Sequence, residues 1–224
     1  MFERLELLIG DKINDIKNKN ILLIGIGGVG SYACESLIRS GIMNITIADN
    51  DIIDISNLNR QLMTNMDNIG KYKVDVMKDR ILSINPNCKV KTINYFVDEN
   101  NISMIFKDNY DYVIDACDSI DTKVSLIEYC INNNIKIISC MGTGNKMDPS
   151  KLEIVDLRKT INDPLARVLR KFVKDEKINK KIMVLSSREL PVKTGDRTPG
   201  STAFVPASAG LLIASYVVRS FINK

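Results

Sequence analysis

A glycine-rich turn follows the first strongly apolar run of the chain and carries the first sign of a chemical function. The run ILLI leads into GIGGVG, residues 25–30, and a second apolar run, Ile45–Ala48, ends at Asp49. Glycine lets a backbone turn sharply and approach a phosphate, and the N-terminus of the following helix attracts anions. A carboxylate at the end of the second strand can accept the ribose hydroxyl hydrogens. The pattern predicts a nucleotide site, without saying which nucleotide.

Three charged residues further along indicate a triphosphate rather than a nicotinamide ring. Arg60 can bind phosphate oxygens with two parallel hydrogen bonds, Lys73 can supply a positive charge, and Asp118 can hold a metal or orient the phosphates. Each also has an ordinary explanation. Arg60 could cap a helix, Lys73 could be a surface lysine, and Asp118 could be a helix N-cap. On the glycine motif alone, an NAD-binding oxidoreductase also stays open.

The alternation of apolar strands and amphipathic helices predicts an α/β fold with a doubly wound, Rossmann-like, mostly parallel sheet and a C-terminal α/β extension. We expect a single domain, 1–224, with a nucleotide-binding half (1–148), which the resemblance described below implies to be the ATP-binding half, and a C-terminal half (149–224). The predicted strands are the run before Gly25, Ile45–Ala48, Lys89–Tyr95, Tyr110–Ala116, Ile135–Cys140, Leu152–Leu157 and Ile182–Ser186. The predicted helices are Val29–Arg39, Ile55–Met66, Lys71–Ile84, Glu99–Lys107, Val124–Asn132, Pro164–Lys174 and a final C-terminal helix.

Cysteine and histidine usage excludes several kinds of chemistry. The chain has five cysteines without a C-x-x-C pair and no histidine, which argues against the usual structural zinc sites and His-based catalytic triads. We expect buried, reduced thiols and a cytoplasmic protein. The N-terminus is typical of a short amphipathic helix rather than a signal peptide. The uncharged run Ala207–Val218 is shorter than the roughly 20 residues that cross a bilayer, so we expect a buried helix there.

Positive charge is concentrated in the C-terminal third. The net charge is only +4, but residues 158–197 contain 12 Lys/Arg against 5 Asp/Glu. Such an excess is common on solvated surfaces, and it is also what a protein that binds a polyanion such as RNA shows.

The ordered motifs GIGGVG, Asp49, SNLNRQ, GKYKV, INP and DACDS resemble the adenylation domain of the ThiF/MoeB/HesA family, which is related to ubiquitin-activating enzymes. The resemblance runs from Arg4 to about Gly144. It implies that the carboxylate of an acid attacks the α-phosphate of ATP, giving an acyl-adenylate and pyrophosphate.

The resemblance also implies roles for individual residues. Arg60, Lys73 and Asp118 would be the catalytic residues, Asp118 would hold Mg²⁺ with ATP, and Asp49 would bind the ribose. Arg4 would reach the ATP of a second subunit, which implies a homodimer. The full set of residues implied to bind the nucleotide is Gly25, Gly27, Gly28, Gly30, Asp49, Asn57, Arg60, Lys73, Asp118 and Arg4 of the other subunit.

The second half is similar to a narrower group, the tRNA threonylcarbamoyladenosine dehydratases. The segments that carry this likeness are GTGNKMDPSKLEIVDLRKTINDPLARVLRK, LSSRELP and GSTAFVPASAGLLIAS. It implies adenylation of the threonylcarbamoyl carboxylate on tRNA, then ring closure with release of AMP. The basic residues that would meet tRNA phosphates are Arg158, Lys159, Arg167, Arg170, Lys171 and Lys174.

Alternative functions stay open at this point. The first is adenylation of the C-terminal glycine of a ubiquitin-like sulfur-carrier protein, against which the missing zinc pairs argue. A non-catalytic nucleotide sensor is another. The sequence also leaves open whether a monovalent cation occupies the Gly142–Gly144 region and whether a sulfur-relay protein assists.

Overall fold

Alternating strands and helices build one sheet covered on both faces. The computed structural model describes residues 1–196 and 198–222, so Arg197, in the basic stretch, lies outside the described residues. The strands are β1 Asn20–Ile24, β2 Asn44–Ala48, β3 Lys89–Ile93, β4 Tyr112–Asp115, β5 Ile137–Cys140, β6 Leu152–Asp156 and β7 Met183–Ser187. The helices are α1 Glu3–Ile9, α2 Ile13–Lys17, α3 Gly30–Arg39, α4 Lys73–Ile84, α5 Ile102–Ile105, α6 Ile120–Asn132, α7 Pro164–Asp175 and α8 Phe204–Ile222.

The order of the strands locates the crevice of the fold. It is β3-β2-β1-β4-β5-β7-β6, and all neighbouring strands are parallel except β6 and β7. The chain winds outward from β1 in both directions, so the order reverses between β1 and β4. In doubly wound sheets, ligands bind at this reversal, beyond the carboxyl ends of the strands. The predicted fold class is confirmed, and strands from both halves of the chain belong to one sheet.

Successive residues of β1 face opposite sides of the sheet, as the period of two in a strand requires. Leu23 packs with the helices of one face, α3, α4 and α8. Leu22 packs with those of the other, α5, α6 and α7. Both side chains are fully buried. Because helices cover both faces, the central strands are apolar throughout rather than alternating, and this explains why short apolar runs marked the strands in the sequence.

The C-terminal helix α8 supports the helix that follows the glycine turn. A Cβ atom at Gly210 would lie 2.3 Å from the carbonyl oxygen of Val29, so the backbones of α8 and α3 approach closely. By length and composition alone α8 could cross a membrane, but half of its apolar window is buried inside the protein. Its buried residues are Val205, Pro206, Ala209, Gly210, Ile213, Ala214, Val217, Val218 and Phe221. We therefore assign α8 to the core, as the sequence predicts.

The predicted helix Ile55–Met66 is wrong. The chain instead forms two 3₁₀ turns, Ile55–Asn57 and Met66–Asn68, separated by irregular turns. Asp54 accepts a hydrogen bond from the backbone of Ser56. Asn65 does the same for Asp67. Such side-chain bonds satisfy the backbone locally and compete with a continuous helix.

Two other helices differ in length from the prediction. Helix α5 covers only Ile102–Ile105 of the expected Glu99–Lys107. Helix α6 begins at Ile120, four residues before the predicted start, because the Ser119 hydroxyl accepts a hydrogen bond from the Thr122 amide and caps it.

Candidate active site

A cleft of about 570 Å³ opens at the carboxyl ends of β1, β2, β4 and β5. It brings together most of the residues that the sequence singles out for nucleotide binding. Those that line it are Gly25, Gly27, Gly28, Asp49, Asn57, Arg60, Lys73 and Asp118. Gly30 lies at the start of α3 and Arg4 in α1, and neither belongs to the cleft wall.

Steric contacts require glycine at both ends of the turn. Gly25 has φ +90°, and a Cβ atom there would lie 2.6 Å from the backbone of Ala116 and Cys117. A Cβ atom at Gly30 would lie 1.8 Å from the carbonyl oxygen of Gly25. At Gly27 the nearest atom would be 4.0 Å away, so this position faces open space. The turn therefore packs tightly on the protein side and leaves room for an anion on the cleft side.

Asp49 anchors the glycine turn. Its Oδ2 accepts a hydrogen bond of 2.6 Å from the Ile26 amide, and its Oδ1 accepts one of 2.9 Å from the Asp51 amide. Burial raises the pKa of Asp49 above its ordinary value, although the charge of Lys73 and the two amides act in the opposite direction. A carboxylate oxygen has more than one acceptor position, so Asp49 can still receive hydrogen bonds from a ligand.

Lys73 is a buried residue, only 5% exposed, rather than a surface lysine. Its Nζ lies 2.6 Å from Oδ2 of Asp51, and its backbone amide donates to the Asp51 carbonyl. Asp51, for which the sequence predicted no role, has a side chain that is 59% exposed. The ammonium is thus held at the cleft wall by a partner that solvent or a ligand can reach.

Arg60 is fixed by neighbours from its own loop. Its Nη1 donates hydrogen bonds to the Ser56 carbonyl (2.8 Å) and to Oδ1 of Asn59 (2.9 Å). Asn57 stabilises the same loop, because its Oδ1 accepts a hydrogen bond of 3.0 Å from the Asp54 amide. The hydrogen bond to the Ser56 carbonyl is a capping contact, which is the ordinary role that the sequence left open for Arg60 beside phosphate binding. The contact also holds the guanidinium at the cleft wall.

Asp118 is exposed in the loop that follows β4. Ser119, not Asp118, caps α6, so the N-cap explanation for Asp118 is wrong. Among residues 1–196 and 198–222, no group of three or more His, Cys, Asp or Glu side chains could hold a metal ion. A magnesium ion at Asp118 would therefore need ligands from elsewhere, such as phosphate oxygens and water.

Gln61 is a cleft residue that belongs to the SNLNRQ motif but for which the sequence predicted no role. It is 5% exposed, and its Oε1 has no hydrogen-bond partner among the described residues. A buried carbonyl oxygen without a partner is costly, so this atom is a candidate acceptor for a ligand donor. The position of Gln61 directly after Arg60 in the sequence is the feature that could have indicated a role in the cleft.

A second missed feature is a buried ion pair behind the cleft. The Nζ atom of Lys123 contacts both carboxylate oxygens of Asp115, at 3.1 and 3.0 Å, and the Cys140 carbonyl at 2.8 Å. Asp115 also accepts a hydrogen bond from the Cys117 amide. Burial alone would lower the pKa of Lys123, but the charge of Asp115, the neighbouring Cys117 and Cys140 and the hydrogen bond to Asp115 together outweigh burial and raise the pKa. The pair links the ends of β4 and β5 and fixes the loop that carries Asp118.

A second wall of the cleft combines the end of the first half of the chain with segments of the C-terminal half. It is formed by Gly142–Gly144 after β5, Leu165 at the start of α7, and Pro199–Ser201 before α8. Asp163 caps α7 through Oδ1, which accepts from the Ala166 amide at 2.9 Å. The other oxygen, Oδ2, lies 3.8 Å from Nζ of Lys146. The cleft thus has a phosphate side, lined by the glycine turn, Arg60 and Lys73, and a second side, lined by Gly142–Gly144, Leu165 and Pro199–Ser201.

The six basic residues that the sequence indicates for tRNA binding fall into two groups. Arg167, Lys171 and Lys174 are exposed and follow the spacing of one helical face of α7, and Lys159 is exposed in the 3₁₀ turn Leu157–Lys159. Arg158 instead bonds Asp156 and backbone carbonyls, and Arg170 donates to the Thr160 carbonyl at 2.8 Å. The second group therefore stabilises the fold, and the first is available to a polyanion.

The five cysteines are free thiols, and all except half-buried Cys117 are buried. Burial raises the pKa of Cys88 to about 11 and that of Cys130 and Cys140 to about 12. These are the buried thiols that the sequence predicts.

The glycine turn, the cationic side chains and the strand reversal define an α/β nucleotide-binding protein with an anion-binding cleft. The sequence profile of the ThiF family matches residues 3–224. The chain belongs to the ThiF family.

Individual relatives are more specific. The chain is 39% identical over 240 residues to the tRNA threonylcarbamoyladenosine dehydratase of Bacillus subtilis, an alignment that covers 99% of this chain and 94% of the relative. Its structure is similar to that of the E. coli tRNA N6-threonylcarbamoyladenosine dehydratase in complex with AMP, with a TM-score of 0.94, 35% identity and coverage of 99% and 94%. The ATP complex of that protein superimposes with a TM-score of 0.93 and 36% identity, over 99% and 93% of the two chains.

Proposed function

We propose that this protein is an ATP-dependent tRNA-modifying enzyme that removes one water from threonylcarbamoyladenosine by forming a ring. The observation that carries the proposal is a cleft with an anion-binding glycine turn and two cations on one side and an open second side to which the C-terminal half contributes. The nearly chain-long similarity to the dehydratases supports it.

In the first step, a carboxylate oxygen of the threonylcarbamoyl group attacks the α-phosphorus of ATP. A new O–P bond forms, the bond to the bridging oxygen breaks, and pyrophosphate leaves. The glycine turn and Arg60 hold the phosphates, and Lys73 places positive charge near the leaving group. Asp49 receives the ribose hydroxyls. Alignment and charge stabilisation supply the catalysis, so the step needs no nucleophile from the protein.

In the second step, an atom within the modification attacks the activated carbonyl carbon. The acyl–oxygen bond to AMP breaks, AMP leaves, and the attacking atom loses its proton. Over both steps, the modified nucleoside loses one water while ATP becomes AMP and pyrophosphate. The cleft wall at Gly142–Gly144 and Leu165 encloses this reaction, since it faces the phosphate side.

The magnesium proposal rests on Asp118. Its carboxylate would hold Mg²⁺ together with phosphate oxygens, and the ion would neutralise charge on the departing pyrophosphate. The exposed position of Asp118 in the cleft supports this assignment.

We assign tRNA binding to the basic face of α7, which is formed by Arg167, Lys171 and Lys174. Helix α7 begins at the cleft, where Leu165 lines the wall, and Arg167, Lys171 and Lys174 continue away from it. A phosphate backbone bound along this face would present a modified base to the cleft.

We further propose a homodimer in the cytoplasm. Helix α1 buries none of its residues, and Leu7 and Leu8 are 87% and 82% exposed. Apolar side chains at this exposure favour burial by another surface. A second copy that covers α1 would bring Arg4 towards the neighbouring cleft. The free thiols fit a reducing compartment.

The alternative substrate, the C-terminal glycine of a ubiquitin-like sulfur carrier, would use the same first step. It is less well supported, because the C-terminal half resembles the dehydratases and the chain has no C-x-x-C zinc pairs.

Replacement of Arg60 by alanine tests the proposed phosphate-binding role of this residue. We expect Arg60→Ala to abolish AMP release with modified tRNA while the circular dichroism spectrum and melting temperature stay close to wild type, because the side chain bonds only its own loop. Full activity of this variant would refute the assignment of Arg60.

A further inference from the structure

A short segment that we call the strap, Pro199–Ser201, forms part of the second side of the cleft. Two asparagines hold it. The Gly200 amide donates to Oδ1 of Asn145 at 2.6 Å, and the Asn145 amide donates to the Gly200 carbonyl at 2.7 Å. Asn59 donates from Nδ2 to the Ser201 carbonyl at 3.1 Å.

Asn59 contacts both sides of the cleft through one side chain. While its Nδ2 donates to the strap, its Oδ1 accepts from Nη1 of Arg60 at 2.9 Å. The amide group is planar and rigid, so a displacement of the strap turns the acceptor that Arg60 uses. Through these two hydrogen bonds, the Asn59 side chain links Arg60, on the phosphate side of the cleft, directly to the strap.

We propose that Asn59 is a positioning residue that couples RNA contact at the strap to the orientation of Arg60. This inference rests on the proposed function. RNA that fills the second side presses on Pro199–Ser201 and fixes the Asn59 amide, and Arg60 is then held for attack on the α-phosphorus. ATP alone leaves the strap without RNA contact, so unproductive cleavage is slow. Asn59 touches neither reactant and acts only through Arg60.

Asn59→Asp separates the two contacts of this residue. Aspartate keeps an oxygen for Arg60 but has no N–H for Ser201, and it places a negative charge beside that carbonyl. We expect kcat for AMP formation with modified tRNA to fall about three- to tenfold, the effect of one hydrogen bond. The Kd for ATP without RNA should rise by a smaller factor than kcat falls, since Arg60 keeps its acceptor.

Asn145→Gly loosens the strap from the other end. Asn145 has φ +57°, which glycine adopts without strain, so the substitution removes only the side-chain acceptor of Gly200. We expect the same loss of kcat as with Asn59→Asp. Both changes break the same connection between the strap and Arg60. The kcat of the double variant should therefore be no more than about twofold lower than the kcat of either single variant.

Asn134→Gly is the matched control. Asn134 also has a positive φ, +56°, and its Oδ1 accepts a hydrogen bond from Lys180, outside the cleft. Its variant should keep the wild-type kcat and Kd.

The results distinguish a failure of the proposed coupling from a failure of the proposed function. Wild-type kcat in Asn59→Asp, or multiplied losses in the double variant, would overturn the coupling. A fall in ATP affinity as large as the fall in kcat would show that Asn59 supports only the nucleotide side, and would overturn it too. If the wild-type enzyme itself leaves the modified nucleoside unchanged, the proposed function fails and the inference falls with it.

Discussion

The Nζ atom of Lys123 lies 3.0 Å from Oδ2 of Asp115, and neither side chain reaches solvent. Lys123 also contacts the Ser139 hydroxyl and the Cys140 carbonyl, so its donors are satisfied. An ion pair in this position is expensive to bury but far more expensive to break, because a single charge would remain without a partner. The pair therefore holds the carboxyl ends of β4 and β5 in a fixed relation directly behind the cleft.

Removal of both partners of this ion pair should cost less than the sum of the two single removals. We expect Lys123→Met to lower the free energy of unfolding by about 3–5 kcal/mol, because it leaves Asp115 buried and unpaired. Lys123→Met combined with Asp115→Asn should cost at least about 1 kcal/mol less than the sum of the single changes. Urea denaturation of the three variants and the wild type measures these values. Strict additivity would show that the two side chains do not interact.

Gly25 should tolerate a methyl group much less well than Gly70. Both have positive φ, +90° and +84°, so alanine brings backbone strain of about 1–2 kcal/mol at each. At Gly25 the Cβ would also lie 2.6 Å from backbone atoms, whereas nothing lies within 4 Å of it at Gly70. We expect Gly25→Ala to cost a further 1–3 kcal/mol or so, as overpacking does. Thermal unfolding without nucleotide tests this, and equal costs at the two positions would contradict the close packing on Ala116 and Cys117.

The sequence predicts the fold better than it predicts the loops. All seven strands correspond to predicted segments. The five inner and near-inner strands were recognisable as apolar runs because both of their sides are buried, whereas the edge strand β3 was recognisable by its alternating pattern. The segment Ile55–Met66 has helix-like capping residues, Asp54 and Asn65, but these residues close single 3₁₀ turns instead of a helix. Propensity alone does not distinguish the start of a turn from the start of a helix.

For the site, the sequence locates the residues of the cleft and misses their supports. Motif order placed Asp49, Arg60 and Lys73 together, because the carboxyl ends of parallel strands meet at one edge. Lys123 escaped notice because a lysine in a polar stretch of a helix is usually solvated, and only the packing of α6 on the sheet shows it buried. The Asp51 partner of Lys73 is likewise a contact between distant positions in the chain.

Glu35 should make stability depend on acidic pH. Burial alone would raise its pKa, but hydrogen bonds and charges from Arg80 and Arg39 outweigh burial and hold the pKa below the ordinary 4.5. A lowered carboxyl pKa contributes stability above the unfolded value, and this contribution is lost as pH falls through the folded value. We expect wild type to melt above Glu35→Gln at pH 7, with the difference shrinking below about pH 4.5.

Melting curves of both proteins between pH 7 and pH 3 or so measure this difference, with Glu128→Gln as a control for loss of an exposed carboxylate on α6. A difference that stays constant over the whole range would show that Glu35 is not stabilised by the two arginines.

The basic face of α7 should determine the salt dependence of tRNA binding. Removal of two phosphate contacts by Lys171→Ala and Lys174→Ala should reduce the slope of log K against log salt by about 1.4–1.8. The double variant Lys89→Ala and Lys107→Ala has the same net charge but changes exposed lysines at and near the β3 edge of the sheet. Filter binding at several salt concentrations compares the two. Equal slopes in both variants would place the RNA elsewhere.

The central claim is the ATP-dependent closure of a ring on tRNA, and nucleoside mass spectrometry tests it most directly. Transfer RNA carrying linear threonylcarbamoyladenosine is incubated with the protein and magnesium, with and without ATP, and the nucleosides are analysed. We predict that the modified nucleoside loses the mass of one water, only when ATP is present. An unchanged nucleoside, with intact tRNA and folded protein, would contradict the account and would favour a protein carboxylate as the group that is adenylated.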